Sequence, residues 1–237
     1  MKKLKAWVSV IPMLAIACSD DYHSPDVKTD ISFKIKSLPA TVNAVPNPFE
    51  NAGVLQNQIL ESYQSGKGGQ NTLNAVVQRV DSIAALQPGL QPGALAEEHQ
   101  IQVAWILAHQ STALPQILSA SVLGAQAKLS FDNLAGIMLR SDHPLAAEEG
   151  IACLVTYREA VLQNTSYTQE DKRILLTTCS FWEYSLRRKR RTDLDWETSV
   201  GHIAAMLYGA ERSLDVAVRI SSVAGLCHNH GVSPGPK

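Results

Sequence analysis

Imidazole serves as ligand, base and proton shuttle near neutral pH, so the seven histidines come first: His23, His99, His109, His143, His202, His228 and His230. No two of them stand in the His-Glu-x-x-His spacing that puts two zinc ligands on one helix face, and Cys-x-x-Cys does not occur. Cys227-His228-Asn229-His230 gathers three soft donors within four residues, without a fourth ligand nearby in sequence. No metal and no cofactor are therefore expected. Adjacent acids at Glu97-Glu98 and Glu148-Glu149 point about 100° apart on a helix and do not converge as an acid–base pair. A Gly-x-Ser-x-Gly nucleophile elbow is missing, and Gly66-Lys67-Gly68-Gly69 lacks the spacing of a phosphate loop. Arg187-Arg188-Lys189-Arg190-Arg191 is the one charge cluster; it closes a predicted helix whose C-terminal dipole it complements, or else forms a patch for anionic lipid or polysaccharide.

The elements that would position these residues are helical. Leu73, Val76, Val77, Val80, Ile83 and Ala84 follow the i, i+3, i+4, i+7 pattern up to Pro88-Gly89. Ile101, Ala104, Trp105 and Ala108 continue it, and Ile117, Leu118, Ser121, Val122 and Ala125 form a further face with Pro115 near its start. Asp142-His143-Pro144 reads as a helix start. Thr168 to Asp171 and Thr192 to Asp195 each set a hydroxyl cap three residues before a carboxylate, ahead of the stripes Leu175/Cys179/Trp182/Leu186 and Trp196/Val200/Ile203/Leu207. A last segment runs from Glu211 to about Leu226, and residues 229–237 read as a disordered tail. Cys153 and Cys179 fall inside helical patterns. They read as core thiols, and an oxidising compartment also admits a bridge between them. The fold expected is all-α, a single irregular helical bundle of about eight helices, spanning residues 47–228.

Before that bundle stands an address. Lys2, Lys3 and Lys5 precede the apolar run Trp7–Ala17, which is too short to span a bilayer and suits a signal peptide over residues 1–17. Leu14-Ala15-Ile16-Ala17-Cys18 resembles a bacterial lipobox, although Ala15-x-Ala17 also serves the ordinary secretory peptidase. Ser19-Asp20-Asp21 resembles the acidic stretch that follows the lipidated cysteine in surface-exported lipoproteins of the Bacteroidota, which favours acylation of Cys18. Residues 18–46, with Pro25, Pro39 and Pro46, read as an extended tether. Within it Ile31-Ser32-Phe33-Lys34-Ile35-Lys36 alternates like a half-buried strand.

The bundle opens with Asn47-Pro48-Phe49-Glu50-Asn51-Ala52-Gly53-Val54-Leu55-Gln56-Asn57-Gln58-Ile59-Leu60. This stretch resembles the opening of a group of helical lipoproteins from Bacteroidota, which typically show Asn-Pro-aromatic, a Gly four residues on, then His-Asn and a Leu. Asn47, Pro48, Phe49, Gly53, Asn57 and Leu60 fall on that pattern, while Gln56 stands where His is usual. Ser180-Phe181-Trp182, Trp196 and the Gly/Ala-rich 201–210 echo the group's second half. The resemblance implies an address and a fold class but no reaction. Read physically, Asn47 caps a helix whose first turn holds Pro48, Gly53 admits a neighbouring backbone, and Asn57 follows one turn later on the same face. Asn47, Gly53, Gln56 and Asn57 thus build either a docked helix start or a small polar pocket.

Composition bounds the rest. The chain has 237 residues, 18% of them charged, and a formal net charge of −1. Losing three lysines with the leader takes the balance from 21 basic and 22 acidic residues to a net charge of −4, which speaks against nucleic-acid partners. The expectation is a lipoprotein of the bacterial outer membrane, held by N-terminal acyl chains and acting as a binding or interaction module for a protein or glycan. A periplasmic protective protein binding a toxin, and a hydrolase, are the alternatives.

Overall fold

Val76, Val77, Val80 and Ala84 are all buried on one side of a helix that Thr72 starts by accepting the Ala75 N–H at 3.3 Å, as the apolar spacing requires. The same logic holds along a chain that the computed structural model describes over residues 46–66, 72–139, 145–191 (backbone alone at 190 and 191) and 196–232. Contacts divide the chain into two units, Met1–Lys36 and Ser37–Lys237, and every described residue belongs to the second. The leader, Cys18, the alternating stretch 31–36, His23, the start at Asp142 to Pro144 and the cap at Thr192 to Asp195 lie outside the described residues.

The fold is all-α. Nine helices and no strand occur among the described residues: α1 Glu50–Ser65, α2 Leu73–Ala84, α3 Glu97–Ala108, α4 Gln110–Ala120, α5 Ala125–Met138, α6 Ala147–Gln163, α7 Gln169–Arg191, α8 Val200–Ala210 and α9 Leu214–Asn229. α8 is buried on nearly every side, from Gly201 to Ala210, and packs on α9, α4, α7 and α3. A helix that is apolar all round belongs at the centre of a bundle. α1 and α6 flank α7, while α1, α2 and α3 cover α9. Gly209 faces Ala217 so closely that an added Cβ would sit 2.9 Å from the Ala217 Cα, so the α8–α9 crossing needs glycine there.

The expectation of about eight helices merged two of them. Ser121 turns the chain out of α4 and accepts the Leu123 N–H, and α5 begins afresh after Gly124. α4 itself starts at Gln110, so Pro115 is internal rather than near the start. The capping pair at Thr168 and Asp171 forms as expected. Each accepts the other's backbone N–H, at 3.0 and 2.9 Å, and Asp171 also accepts the Gly124 N–H at 2.7 Å. α8 begins seven residues later than the Thr192 cap implied, with Ser199 as its cap accepting from His202. Trp196 precedes that helix, and its indole N–H instead reaches Ser185 on α7 at 2.7 Å. Nor does the chain fray at residue 229: Gly231 (φ +61°) and the Val232 N–H to Cys227 carbonyl bond of 2.9 Å close α9 as a Schellman cap.

One stripe was read on the wrong side. α3 buries Val103, Ile106 and Leu107, leaving Ile101 62% exposed, Ala108 exposed, and Ala104 and Trp105 half-buried. Apolar residues occupy both faces of this helix, so periodicity cannot choose between them. The imidazole of His99, 3.1 Å from the Tyr208 hydroxyl on α8, holds the rotation observed.

Candidate functional site

Three of the four sequence-selected residues of the opening motif turn onto α7. Asn47 lies just before α1 rather than capping it. Its Oδ1 accepts the Phe49 N–H at 2.9 Å, and its Nδ2 donates to the Leu176 carbonyl of α7 at 2.9 Å. Gly53 follows: its N–H donates to Ser180 Oγ at 2.9 Å, and that hydroxyl donates to the Glu50 carbonyl at 3.0 Å. A Cβ on Gly53 would sit 2.7 Å from the Ser180 carbonyl and 2.4 Å from the Tyr184 ring, so this is the backbone approach that the glycine permits. One turn on, Asn57 donates to Glu61 at 2.7 Å and accepts from Arg188 at 3.3 Å. Gln56 is 1% exposed, and its Nε2 has no hydrogen-bond partner among the described residues.

Arg188 carries the seam onward. It is buried, donates also to Gln64, and holds its guanidinium 5.0 Å from the Trp196 ring centre. Trp196 meets His202 edge-on at 6.1 Å, and a Cβ at Gly225 would strike both rings. Asn47, Gly53 and Asn57 are thus joined to Ser180, Arg188, Trp196 and His202 in one continuous packing seam. His202 is fully buried, and its Nε2 lies 3.1 Å from the Ser221 carbonyl. A carbonyl only accepts, so Nε2 carries the proton and Nδ1, which has no partner among the described residues, is the bare acceptor. Burial, helped by the nearby His228, lowers this imidazole to about 3, and it stays neutral at physiological pH.

The other candidates part company. His99 pairs with Tyr208 and approaches Glu98 at 3.7 Å, and burial lowers its pKa. His109 stacks on Trp105 at 4.9 Å. In the Cys227 to His230 run, Cys227 is buried and its thiol is pushed up to about 12 by desolvation. His228 turns to Gln110 at 3.1 Å, whereas His230 stacks on Tyr63. Among the described residues no group of three or more His, Cys, Asp or Glu side chains is disposed to hold a metal ion. Cys153 and Cys179 are both free thiols on the facing helices α6 and α7, and burial raises the pKa of each. Within the basic cluster, Arg187 pairs with Glu183 and Arg188 with Asn57 and Gln64, so two of its cations serve the bundle itself.

Beside the seam an open cleft of about 370 Å³ is floored by Trp182, Leu186 and Met138, with Lys189, Thr198 and Ser199 along its lining. Thr198 is engaged by Ser185 at 2.7 Å and Ser199 caps α8. Trp182, Leu186 and Lys189 were singled out in the sequence, but none of Asn47, Gly53, Gln56, Asn57 or the histidines lines it.

Sequence reading missed two buried ion networks. Arg219, 1% exposed, donates to Asp81 of α2 at 2.7 Å, to Asp215 at 3.2 Å and to the Gln91 carbonyl at 2.8 Å. Asp81 in turn accepts the Leu95 N–H, so this cluster ties the α2–α3 connection onto α9. Arg158 of α6 donates to Glu183 of α7 at 3.1 Å, with both side chains buried. The i, i+4 pairs Asp215/Arg219 and Glu183/Arg187 were the available signal, and such pairs normally mark solvated helix faces. Comparisons with protein-family models, with curated proteins and with solved structures found no match.

Proposed function

We propose that this chain is a lipoprotein of the bacterial outer membrane, anchored through acyl chains on Cys18, whose helical unit is a binding or interaction module for a protein or glycan partner. One observation carries the reading. Asn47, Ser180, Asn57, Arg188, Trp196 and His202 are engaged with one another or with backbone in closing the bundle. A hydrolase needs acid–base groups converging in one cleft. His99 pairs with Tyr208, His109 stacks on Trp105 and His202 is buried against the Ser221 carbonyl, which counts against that alternative.

The address rests on Lys2, Lys3, Lys5, the apolar run to Ala17 and Cys18, and on the resemblance to the Bacteroidota group. No described helix is long and apolar enough to cross a membrane. Each buried acyl methylene contributes about 0.8 kcal/mol, so two or three chains hold a protein stably at a bilayer. The test is the intact mass of the membrane-fraction protein beside a Cys18→Ala variant, with in-cell cross-linking of both. The reading expects a diacyl or triacyl increment on a chain starting at Cys18, release of the variant, and a discrete cross-linked adduct. An unmodified chain in the soluble fraction overturns the anchor, and turnover of an ester or amide substrate overturns the module.

A further inference from the structure

We propose that the cleft walled by α5, α6, α7 and the approach to α8 binds an aliphatic monocarboxylate of about ten carbons, its chain on the apolar floor and its headgroup among the donors at the rim. The proposal goes beyond the partner reading above and does not depend on it.

Size and floor set the body of the ligand. The cleft holds about 370 Å³ over Met138, Leu139, Leu145, Trp182 and Leu186. A water in the liquid takes about 30 Å³, so there is room for roughly a dozen small groups. Gly150 of α6 keeps that floor intact. A Cβ there would lie 2.9 Å from Leu186 Cδ1 and 3.3 Å from Met138 Cε, so only a missing side chain leaves both in place. Four aliphatic side chains and an indole ring favour a hydrocarbon chain over a sugar.

The polar groups of the lining decide the headgroup, because they have protons to give. Ser185, 2% exposed, accepts the Trp196 indole N–H at 2.7 Å. A buried hydroxyl does not leave its own proton unpaired, and the acceptor that Ser185 meets among the described residues is Thr198 Oγ1, at 2.7 Å. Thr198, on the cleft wall, is thereby left to donate outward, at the end of a relay that begins at a buried indole. Ser199 beside it accepts the His202 N–H and likewise keeps a proton to give. Lys189 adds an ammonium with three donors and no acceptor. The start of α6, at Ala146 and Ala147, opens on the same space without a capping side chain. Glu197 is the one carboxylate in the lining, and its Oε2 lies 4.0 Å from His228 Nε2 on α9. Donors gathered above an apolar floor suit a carboxylate on an aliphatic chain. One cation balances a monoanion, whereas a phosphate dianion would leave a charge unmatched beside Glu197.

The experiment is calorimetric titration at neutral pH of the mature full chain carrying Cys18→Ala, which keeps bilayer lipid from absorbing the probes. The probes are decanoate, decanol, decylammonium and butyrate. Saturable binding of one equivalent of decanoate is expected with a Kd of about 10–300 µM, at least about tenfold tighter than decanol and about a hundredfold tighter than butyrate. Lys189→Met, at an exposed position and with the apolar stem kept, should weaken decanoate about tenfold and leave decanol unchanged. Lys189→Glu should prefer decylammonium to decanoate, and unchanged thermal melts would show that both variants fold. Decanoate that binds no tighter than decanol, or equally well to Lys189→Met, overturns the proposal. So does an affinity that fails to rise from butyrate to decanoate. Displacement of decanoate by a lower concentration of lysophosphatidylglycerol overturns the free acid as occupant in favour of a phospholipid. None of these outcomes bears on acylation at Cys18 or on the cross-linked adduct, so the module reading stands or falls by its own test.

Discussion

At Gly53 a single missing side chain decides how α1 meets α7. Alanine there would gain about 1 kcal/mol in an unconstrained helix. Here its Cβ would lie 2.7 Å from the Ser180 carbonyl, a backbone atom that yields only if the helices part. Parting them stretches the Gly53–Ser180 and Ser180–Glu50 bonds as well. Overpacking costs typically 1–3 kcal/mol, so Gly53→Ala is expected to destabilise the protein by about 1–2 kcal/mol, read as a lowered urea midpoint at unchanged slope. A gain in stability would mean that this approach is not constraining. The glycine was legible as a close-approach position because it sits one turn into a helix marked by Asn47-Pro48, although the partner it meets, Ser180, is 127 residues away. Arg219 was not legible. Its carboxylate partner Asp81 is 138 residues away, and no spacing rule reaches that far.

A helix end is legible where a hydroxyl and a carboxylate three residues on serve the same turn. The Thr168/Asp171 pair fixed the start of α7 because both groups satisfy donors within one turn. Burial works to raise the Asp171 carboxyl, but bonds from the Gly124 N–H and from the hydroxyl and N–H of Thr168 hold it below its ordinary value. Asp171→Ala removes all of them and leaves the Gly124 N–H, the joint between α4 and α5, without its acceptor. A loss of about 1–3 kcal/mol is expected, or a drop of several degrees in melting temperature for a chain of this size. A melt unchanged within a degree would show that water replaces the carboxylate. The opposite lesson comes from α3 and α8. α3 is apolar on both faces, so the pattern could not say which one the bundle would take. Trp196 belongs to a helical spacing in sequence but packs against α7 from outside any helix.

For the molecule as a whole, titration has a definite sign. Folded His202 protonates only near pH 3, whereas an exposed histidine in the unfolded chain takes its proton near 6.5. Between those values the unfolded state binds the extra proton, so stability falls as pH drops, by up to about 1.4 kcal/mol per unit. The lowered carboxyls of Glu170 and Asp171 add to this: their contribution is present above the ordinary carboxylate range and is lost below it. Urea unfolding from pH 7 to pH 4 should show a steady loss, and His202→Leu should flatten the slope between pH 6.5 and 4.5 whatever its effect at pH 7. An unchanged slope in that variant would place the titrating group elsewhere. By itself the sequence determined the helical class, the position of α2 and the cap of α7, because these depend on residues within a turn or two of one another. Only the tertiary structure decided that the motif residues serve one α1–α7–α8 seam, that Arg219 and Glu183 anchor buried ion networks, and that α3 turns Ile101 and Trp105 outward. Each of those is settled by which distant surface competes best for the same helix, and burial against a neighbour is a property of the assembled bundle.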